Sequence, residues 1–332
     1  VRPEAERLGT RSAVVFGGAG FIGGHLLAGL AASGAYRTLV SVDLAPPVRP
    51  VAGVRYRIAD VTAPLAADLC PDADEVYDLA ALHRTPGHPD GAYYWTNVVG
   101  ALRICDFARA VAARTLVFTS SIAVYGPSET PLSEDAPLRP ETAYGRSKLA
   151  AEEIHRLWRR EAECRRLVIV RPGLVYGRGE RGNFTRLAGL MRRGWFVYPG
   201  RRDAIKACGY VEDLVASIAF ALDRREPEIV YNFGHPEPPT LEAVCGAIAR
   251  VAGYRPVRLA VPAPLLSAAV LPFELADRAG LRNPLHRGRI DKLTRSTHVV
   301  PRWLIEAGFR PRFELETALA DWRRTSEHAD FE

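Results

Sequence analysis

Residues 12–23 read Ser12-Ala13-Val14-Val15-Phe16-Gly17-Gly18-Ala19-Gly20-Phe21-Ile22-Gly23, and this stretch decides the fold. The unbroken apolar run to Phe16 predicts a strand buried on both faces, and the glycines stop it at once. Helix-forming residues then run from Phe21 to about Ser33. A strand, a glycine turn and a helix in this order form a cradle for a diphosphate: backbone without Cβ atoms approaches the phosphates, and the helix N-terminus faces their charge. Gly17, Gly20 and Gly23, spaced G-x-x-G-x-x-G, with Phe21 and Ile22 opening the helix, are therefore expected to hold a dinucleotide.

Working outward, Thr38 to Val42 reads as a second strand with Asp43 at its carboxyl end, twenty residues beyond Gly23. A carboxylate there accepts both hydroxyls of an adenine ribose and repels a 2′-phosphate, which selects NAD over NADP. Val54 to Ile58 is a third strand, running into Asp60 and Val61 at an expected adenine edge. Glu75 to Leu79 is a fourth, followed by Ala80, Ala81, Leu82 and His83; the small residues let a cofactor pass close to the backbone. His83 reads either as a substrate contact or as an exposed loop histidine. Asp90 to Ala113 is a helical stretch containing Asn97, and Thr115 to Thr119 is a fifth strand ending in Ser120 and Ser121. Strands alternating with helices imply an α/β fold, a doubly wound parallel sheet of Rossmann type, with ligands outside the strand carboxyl ends.

Tyr144-Gly145-Arg146-Ser147-Lys148 opens a helix expected from Thr142 to Glu163, with Pro137 and Pro140 before it. Residues four apart share a helix face, so a phenol and an ammonium lie one turn apart. An adjacent ammonium favours the phenolate, and such a tyrosine can act as a base near neutral pH. The chain's cations are overwhelmingly arginine, with lysine only at 148, 206 and 292, so a lysine here departs from the chain's habit.

At 332 residues, 48% hydrophobic and 25% charged, the composition is that of an ordinary globular protein with room for a large and a smaller domain. The net charge of +6 is spread among carboxylates and forms no basic arm, which argues against nucleic acid. The five cysteines, Cys70, Cys105, Cys164, Cys208 and Cys245, lack metal-ligand spacing, so no metal is expected and reduced thiols in the cytoplasm are. No signal peptide is read. The apolar stretch Ala260 to Ala276 is broken by Pro262, Pro264 and Pro272 and carries Glu274, so it is not expected to cross a membrane.

The glycine turn, Asp43, Ser121 before Ile122-Ala123-Val124-Tyr125-Gly126, and Tyr144 with Lys148 together resemble the extended short-chain dehydrogenase/reductases, and among them the NAD-dependent epimerases and dehydratases of nucleotide sugars. The resemblance implies Tyr144 as acid/base, Lys148 on the nicotinamide ribose, Ser121 on the reacting hydroxyl or ketone, and Asn97 as support for the cofactor. Sugar dehydratases of this group carry a Thr-Asp-Glu run where this chain has Ser121-Ile122-Ala123, which speaks against 4,6-dehydration, since elimination needs a proton donor.

Leu167 to Arg171 is a sixth strand, with Arg171 expected on the cofactor side; Leu174 then stands where many relatives have Asn. Asn183 in Gly182-Asn183-Phe184 reads either as a diphosphate contact or as a helix cap. A helix to Arg193, a strand at Phe196 to Tyr198, a helix opened by Tyr210 to Leu214 and a strand at Ile229 to Phe233 follow. Lys206 occupies a position where epimerases often have a phosphate-binding Arg, and Arg287 and Arg289 are candidates for the same diphosphate. The expected division is a dinucleotide-binding domain over 10–180, with 208–234 returning to it, and a substrate-binding domain over 181–207 and 235–328. The resemblance implies a nucleotide-sugar 4-epimerase using tightly held NAD. The alternative is a dehydrogenase or reductase in which the same residues act once, and a non-catalytic dinucleotide-binding scaffold is the third reading. A homodimer is expected through the helix at Asp90 to Ala113 and the helix carrying Tyr144, with Leu149, Ile154, Leu157 and Trp158 available for contacts.

Overall fold

A computed structural model describes residues 9–85, 87–266, 268, 287–328 and 330–332, without the side chains of 287–289. The chain divides into two compact units, each interrupted in sequence. One comprises Val1–Tyr125, Leu138–Pro172 and Val215–Tyr231; the other comprises Gly126–Pro137, Gly173–Leu214 and Asn232–Glu332. Gly126–Pro137 and Gly173–Leu214 thus group with the C-terminal residues. Of the residues expected in the dinucleotide unit, 126–137, 173–180, 208–214 and 232–234 group with the second unit instead.

The first unit is built on a seven-stranded sheet. Its strands are β1 (Arg11–Phe16), β2 (Tyr36–Asp43), β3 (Val54–Ile58), β4 (Glu75–Asp78), β5 (Thr115–Thr119), β7 (Arg166–Pro172) and β11 (Glu228–Phe233), ordered β11-β7-β5-β4-β1-β2-β3. The short strand between β5 and β7 in sequence, β6 (Ser128–Leu132), belongs to the other unit. Strand order reverses between β1 and β4, and the carboxyl ends run level there: Phe16 pairs with Val42 and Asp78, and Asp78 with Phe118. Such a switch point is where open α/β sheets bind ligands. Val14, Phe16, Val76, Leu116, Phe118, Leu167 and Ile169 are almost wholly buried, which is why these strands read as continuous apolar runs.

Helix α1 (Phe21–Ala32) follows the glycine turn, and α4 (Ala143–Arg160) packs on β5 and β7. Thr142 caps α4, its Oγ1 accepting the Gly145 N–H at 3.0 Å, a device worth about 1 kcal/mol. The helix expected over Asp90 to Ala113 is instead α2 (Asp90–Tyr94), a π-helical turn (Trp95–Val99) and α3 (Gly100–Ala110). The wide turn carries Asn97, which is buried. A widened turn of this kind redirects a side chain that a regular helix would send elsewhere.

In the second unit, β6 pairs in parallel with a strand at Thr297–Val299, β8 (Leu174–Tyr176) with β10 (Cys208–Tyr210), and β9 (Tyr198–Pro199) with β12 (Ala260–Val261). The strand expected at Phe196 to Tyr198 is instead β9, which starts at Tyr198, includes Pro199 and ends where Gly200 turns away at φ +83°. Tyr176 anchors an aromatic core: it stacks on Phe184 at 4.5 Å, and its hydroxyl meets His235 Nε2 at 2.8 Å. Among the described residues no helix is long and apolar enough to cross a membrane, and Ala260 to Ala276 lies largely outside them.

Candidate active site

The glycine turn sits at the switch point. Gly17 has φ +80°, and a Cβ on it would lie 2.7 Å from the backbone of Leu79 and Ala80, so only glycine fits. Gly20 precedes α1 and caps it without a side chain, leaving the N–H groups of its first turn, at Phe21, Ile22 and Gly23, for a ligand. This cradle, which a Cβ would fill, fits a diphosphate. Asp43 reaches the same turn: its Oδ2 accepts the Ala19 N–H at 3.0 Å and its Oδ1 the Leu44 N–H at 2.7 Å. Asp60 Oδ1 accepts the backbone and hydroxyl of Thr62, both at 2.8 Å, and Val61 is buried against Gly100. Ala81 is half-buried; the His83 residue has exposed surface, but partial burial of its imidazole, with Arg84, Lys148 and His88 nearby, holds its pKa below the usual range.

At the carboxyl end of β5, Ser121 opens a 3₁₀ turn (Ile122–Val124), and its Oγ accepts the Ala123 N–H at 3.2 Å. The same side chain faces the Tyr144 phenol and favours its deprotonated form. Gly145 makes this meeting possible, because a Cβ there would stand 2.4 Å from Ala123 O and push α4 off the turn. Asn97 locks the other side of α4. Its Oδ1 accepts the Leu82 N–H at 2.8 Å, while its Nδ2 donates to Ser147 Oγ at 2.8 Å and to Leu82 O at 3.2 Å. Asn97 therefore ties the segment after β4 to the helix carrying Tyr144.

The electrostatics differ from the sequence expectation in one respect. Burial raises the Tyr144 pKa, and the group that opposes this is Ser121, not Lys148. The Lys148 ammonium instead lies 4.4 Å over the Phe118 ring, 2% exposed. Burial lowers its pKa to about 8 against the pull of Asp78 and Glu152. Sharing a helix face put the phenol and ammonium side by side along the axis, but the ammonium is drawn inward toward buried carboxylates.

Those carboxylates belong to a network that sequence reading missed. Glu152 takes Arg171 in a two-point pair, at 2.9 Å from Nε and 2.6 Å from Nη2, and accepts Ser120 Oγ at 2.6 Å. Arg171 donates its third hydrogen bond to the Tyr125 hydroxyl at 2.7 Å. Its guanidinium is thus engaged with protein groups behind Ser121. The available signal was the spacing: Glu152 and His155 stand four and seven residues beyond Lys148, on its face of the helix.

In the second unit Asn183 is exposed and begins α5 (Asn183–Arg192); the capping carboxylate is Glu180, whose Oε2 accepts the Thr185 N–H at 2.9 Å. Lys206 Nζ donates to the carbonyls of Lys292 (2.7 Å) and Arg295 (2.6 Å) at the end of the helix Arg287–Thr294, so it acts as a C-terminal cap. Burial, with Arg201 nearby, lowers its pKa to about 8. The side chains of Arg287 and Arg289 lie outside the described residues.

Residues 13–234 match the sequence model of the NAD dependent epimerase/dehydratase family. The chain belongs to that family. Among curated members it is 35% identical over 150 residues, 45% of each chain, to N-acetyl-alpha-D-glucosaminyl-diphospho-ditrans,octacis-undecaprenol 4-epimerase of Escherichia coli O157:H7. It is 33% identical over 168 residues, 44% of each, to UDP-glucose 4-epimerase 4 of Oryza sativa subsp. japonica. The chain spans just under half the length of these curated relatives. Among solved structures it resembles MoeE5 in complex with UDP-glucuronic acid and NAD, with TM-score 0.74 and 26% identity over 94% of this chain and 99% of that one. Extended short-chain dehydrogenase/reductases of this family are NAD-dependent, and the cradle at Gly17 and the carboxylate of Asp43 are what such a cofactor needs.

Proposed function

We propose that this protein is an NAD-dependent 4-epimerase acting on a sugar joined to a nucleoside diphosphate. The observation that carries the reading is the close packing of the first turn of α4, which carries Tyr144, on the turn opened by Ser121 at the carboxyl end of β5, with Lys148 one turn further along the helix. The names of its relatives support the reaction class. NAD, when bound, supplies a reversible hydride acceptor. Gly17, the first turn of α1 and Asp43 would hold its diphosphate and adenine ribose, with Asp60, Val61 and the Leu79–Ala81 segment along its path and Asn97 bracing that segment. Ser121 Oγ would orient the C4 hydroxyl and Tyr144 Oη would accept its proton, the hydride from C4 being what a bound NAD would take up. A 4-keto sugar results. After the sugar turns over, Tyr144 returns the proton to the oxygen as hydride returns to the opposite face. Ser121-Ile122-Ala123 offers no acid to expel a leaving hydroxyl, which favours epimerisation over dehydration.

The same reading includes a homodimer and a reducing compartment. Leu102 on α3, Leu157 on α4 and Trp95 in the π turn are exposed, and five cysteines are unpaired, four of them buried. Mass spectrometry of the denatured protein for co-purified NAD, with an assay of a panel of nucleotide sugars for interconversion and for net NADH, tests the proposal. One NAD per chain and interconversion without net NADH are expected. Net, stoichiometric NADH release would instead establish a dehydrogenase.

A further inference from the structure

The described part of the second unit exposes five large apolar side chains, and four of them, Leu190, Trp195, Leu259 and Leu265, lie where α5 ends and β9 pairs with β12. Phe196 and Tyr198 are buried, their rings meeting edge to face at 5.7 Å, so the alternation of an extended chain turns Trp195 and Val197 outward. Trp195 is 72% exposed. Register pairs Tyr198 with Ala260, and the Tyr198 N–H donates to the Leu259 carbonyl at 2.9 Å. Paired residues share a face of the ribbon, so Leu259 and Val261 lie on the outward side with Val197. The Trp195 N–H donates to the Leu190 carbonyl at 2.9 Å, which folds the chain at the indole back onto the end of α5. Arginines rim this face and differ from others in the unit. Arg192, Arg201, Arg202 and Arg250 each pair with a carboxylate. Arg193, Arg255 and Arg258 are exposed and form no ion pair among the described residues, and the Arg193 guanidinium lies 5.7 Å from the Trp195 ring centroid.

We propose that this face of the second unit docks on the surface of an anionic lipid bilayer, with Trp195 and Leu259 entering the headgroup boundary and Arg193, Arg255 and Arg258 meeting lipid phosphates. An indole is apolar along its body and polar at its N–H, which suits that boundary. Arginine lays its stem along apolar surface while its guanidinium stays with phosphate. The attachment is peripheral, since among the described residues no helix is long and apolar enough to cross a membrane. A second copy of the chain suits the face less well, because a two-fold contact sets the unpaired arginines of one copy against those of the other. The inference goes beyond the proposed reaction and uses none of the residues assigned to it.

Co-sedimentation of the full chain with vesicles tests this. The parent should bind vesicles of phosphatidylcholine mixed with phosphatidylglycerol far more tightly than vesicles of phosphatidylcholine alone, and raised salt should weaken that binding. Trp195→Ser combined with Leu259→Ser, and separately Arg193→Glu, should each lower the partition coefficient by about tenfold or more. A blue shift of tryptophan fluorescence on adding anionic vesicles should vanish in Trp195→Phe and survive in Trp95→Phe, which removes the chain's other strongly exposed indole. A parent that ignores anionic vesicles, or one whose binding survives these changes, overturns the proposal. A parent oligomer that Trp195→Ser with Leu259→Ser splits in sedimentation velocity, with no vesicle binding, assigns the face to a second copy and overturns it equally. Neither NAD nor a sugar enters the vesicle assay, and turnover of a water-soluble nucleotide sugar should be unchanged in these variants, so failure of the epimerase reading and failure of this one are told apart.

Discussion

Tyr144 is a phenol whose burial works against the deprotonated form and whose hydroxyl partner, Ser121, works for it. A base in that position is inactive without its oxygen, so Tyr144→Phe should lower turnover by at least about 100-fold. The cofactor cradle is built from other residues, so the variant should still bind NAD. Steady-state rates together with NAD titration check this, and near-normal turnover would remove Tyr144 from the chemistry. Asp43 poses a separate question at the same scale. Its two oxygens already face the Ala19 and Leu44 N–H groups, which hold the carboxylate at the turn where a ribose would arrive. NAD should therefore bind far better than NADP, and Asp43→Ala should narrow that preference. Calorimetry of both cofactors on both proteins measures it; equal affinities in the parent chain would contradict it.

Helix α4 has an unusual inner face for a helix packed on a sheet, with Lys148, Glu152 and His155 all buried alongside Ala151 and Trp158. Their stability depends on mutual pairing. Arg171→Met would leave the buried Glu152 with Arg156, at 3.4 Å, as its remaining cationic partner and should cost about 3 kcal/mol. Adding Glu152→Gln should return a substantial part, and urea unfolding of the single and double variants gives the coupling. Neither result should appear if the pair were solvated. This face was hidden in the sequence because buried charges carry no periodic signature of their own; Glu152 and His155 look like surface residues until β5 and β7 are set against them. The apolar strands β1, β4 and β5, by contrast, were legible within a residue or two, since both of their faces are covered. Asn97 was legible as a residue but not as a π-helical turn, because no residue type marks where the extra residue of a widened turn is inserted. The pairing of Ser128–Leu132 with Thr297–Val299 joins two short segments far apart in the chain, and nothing local to either announces the other.

Of the apolar residues expected at a dimer face, Trp158 has no exposed surface and packs in the core of its own chain, and Ile154 packs against that core. Leu149, half-buried, and Leu157, at 57% exposed, remain, joined by Trp95 and Leu102. If these form the contact between two copies, Leu157→Glu should convert a dimer into a monomer in sedimentation velocity at micromolar concentration, and a parent chain that is already monomeric would refute the dimer. A different property of the whole molecule follows from where its lysines are. Lys148 and Lys206 are at most 6% exposed, whereas Lys292 is exposed. To an acylating reagent the folded chain therefore presents one lysine, while its arginine-rich surface, which does not deprotonate, is indifferent to such chemistry. Brief treatment with a succinimidyl ester followed by peptide mapping should find the lysine adduct at Lys292, and an adduct at Lys148 or Lys206 would show that the native burial had been lost. The protein thus carries a single lysine handle, on the helix Arg287–Thr294, through which a dye or a solid support can be attached without touching either buried amine.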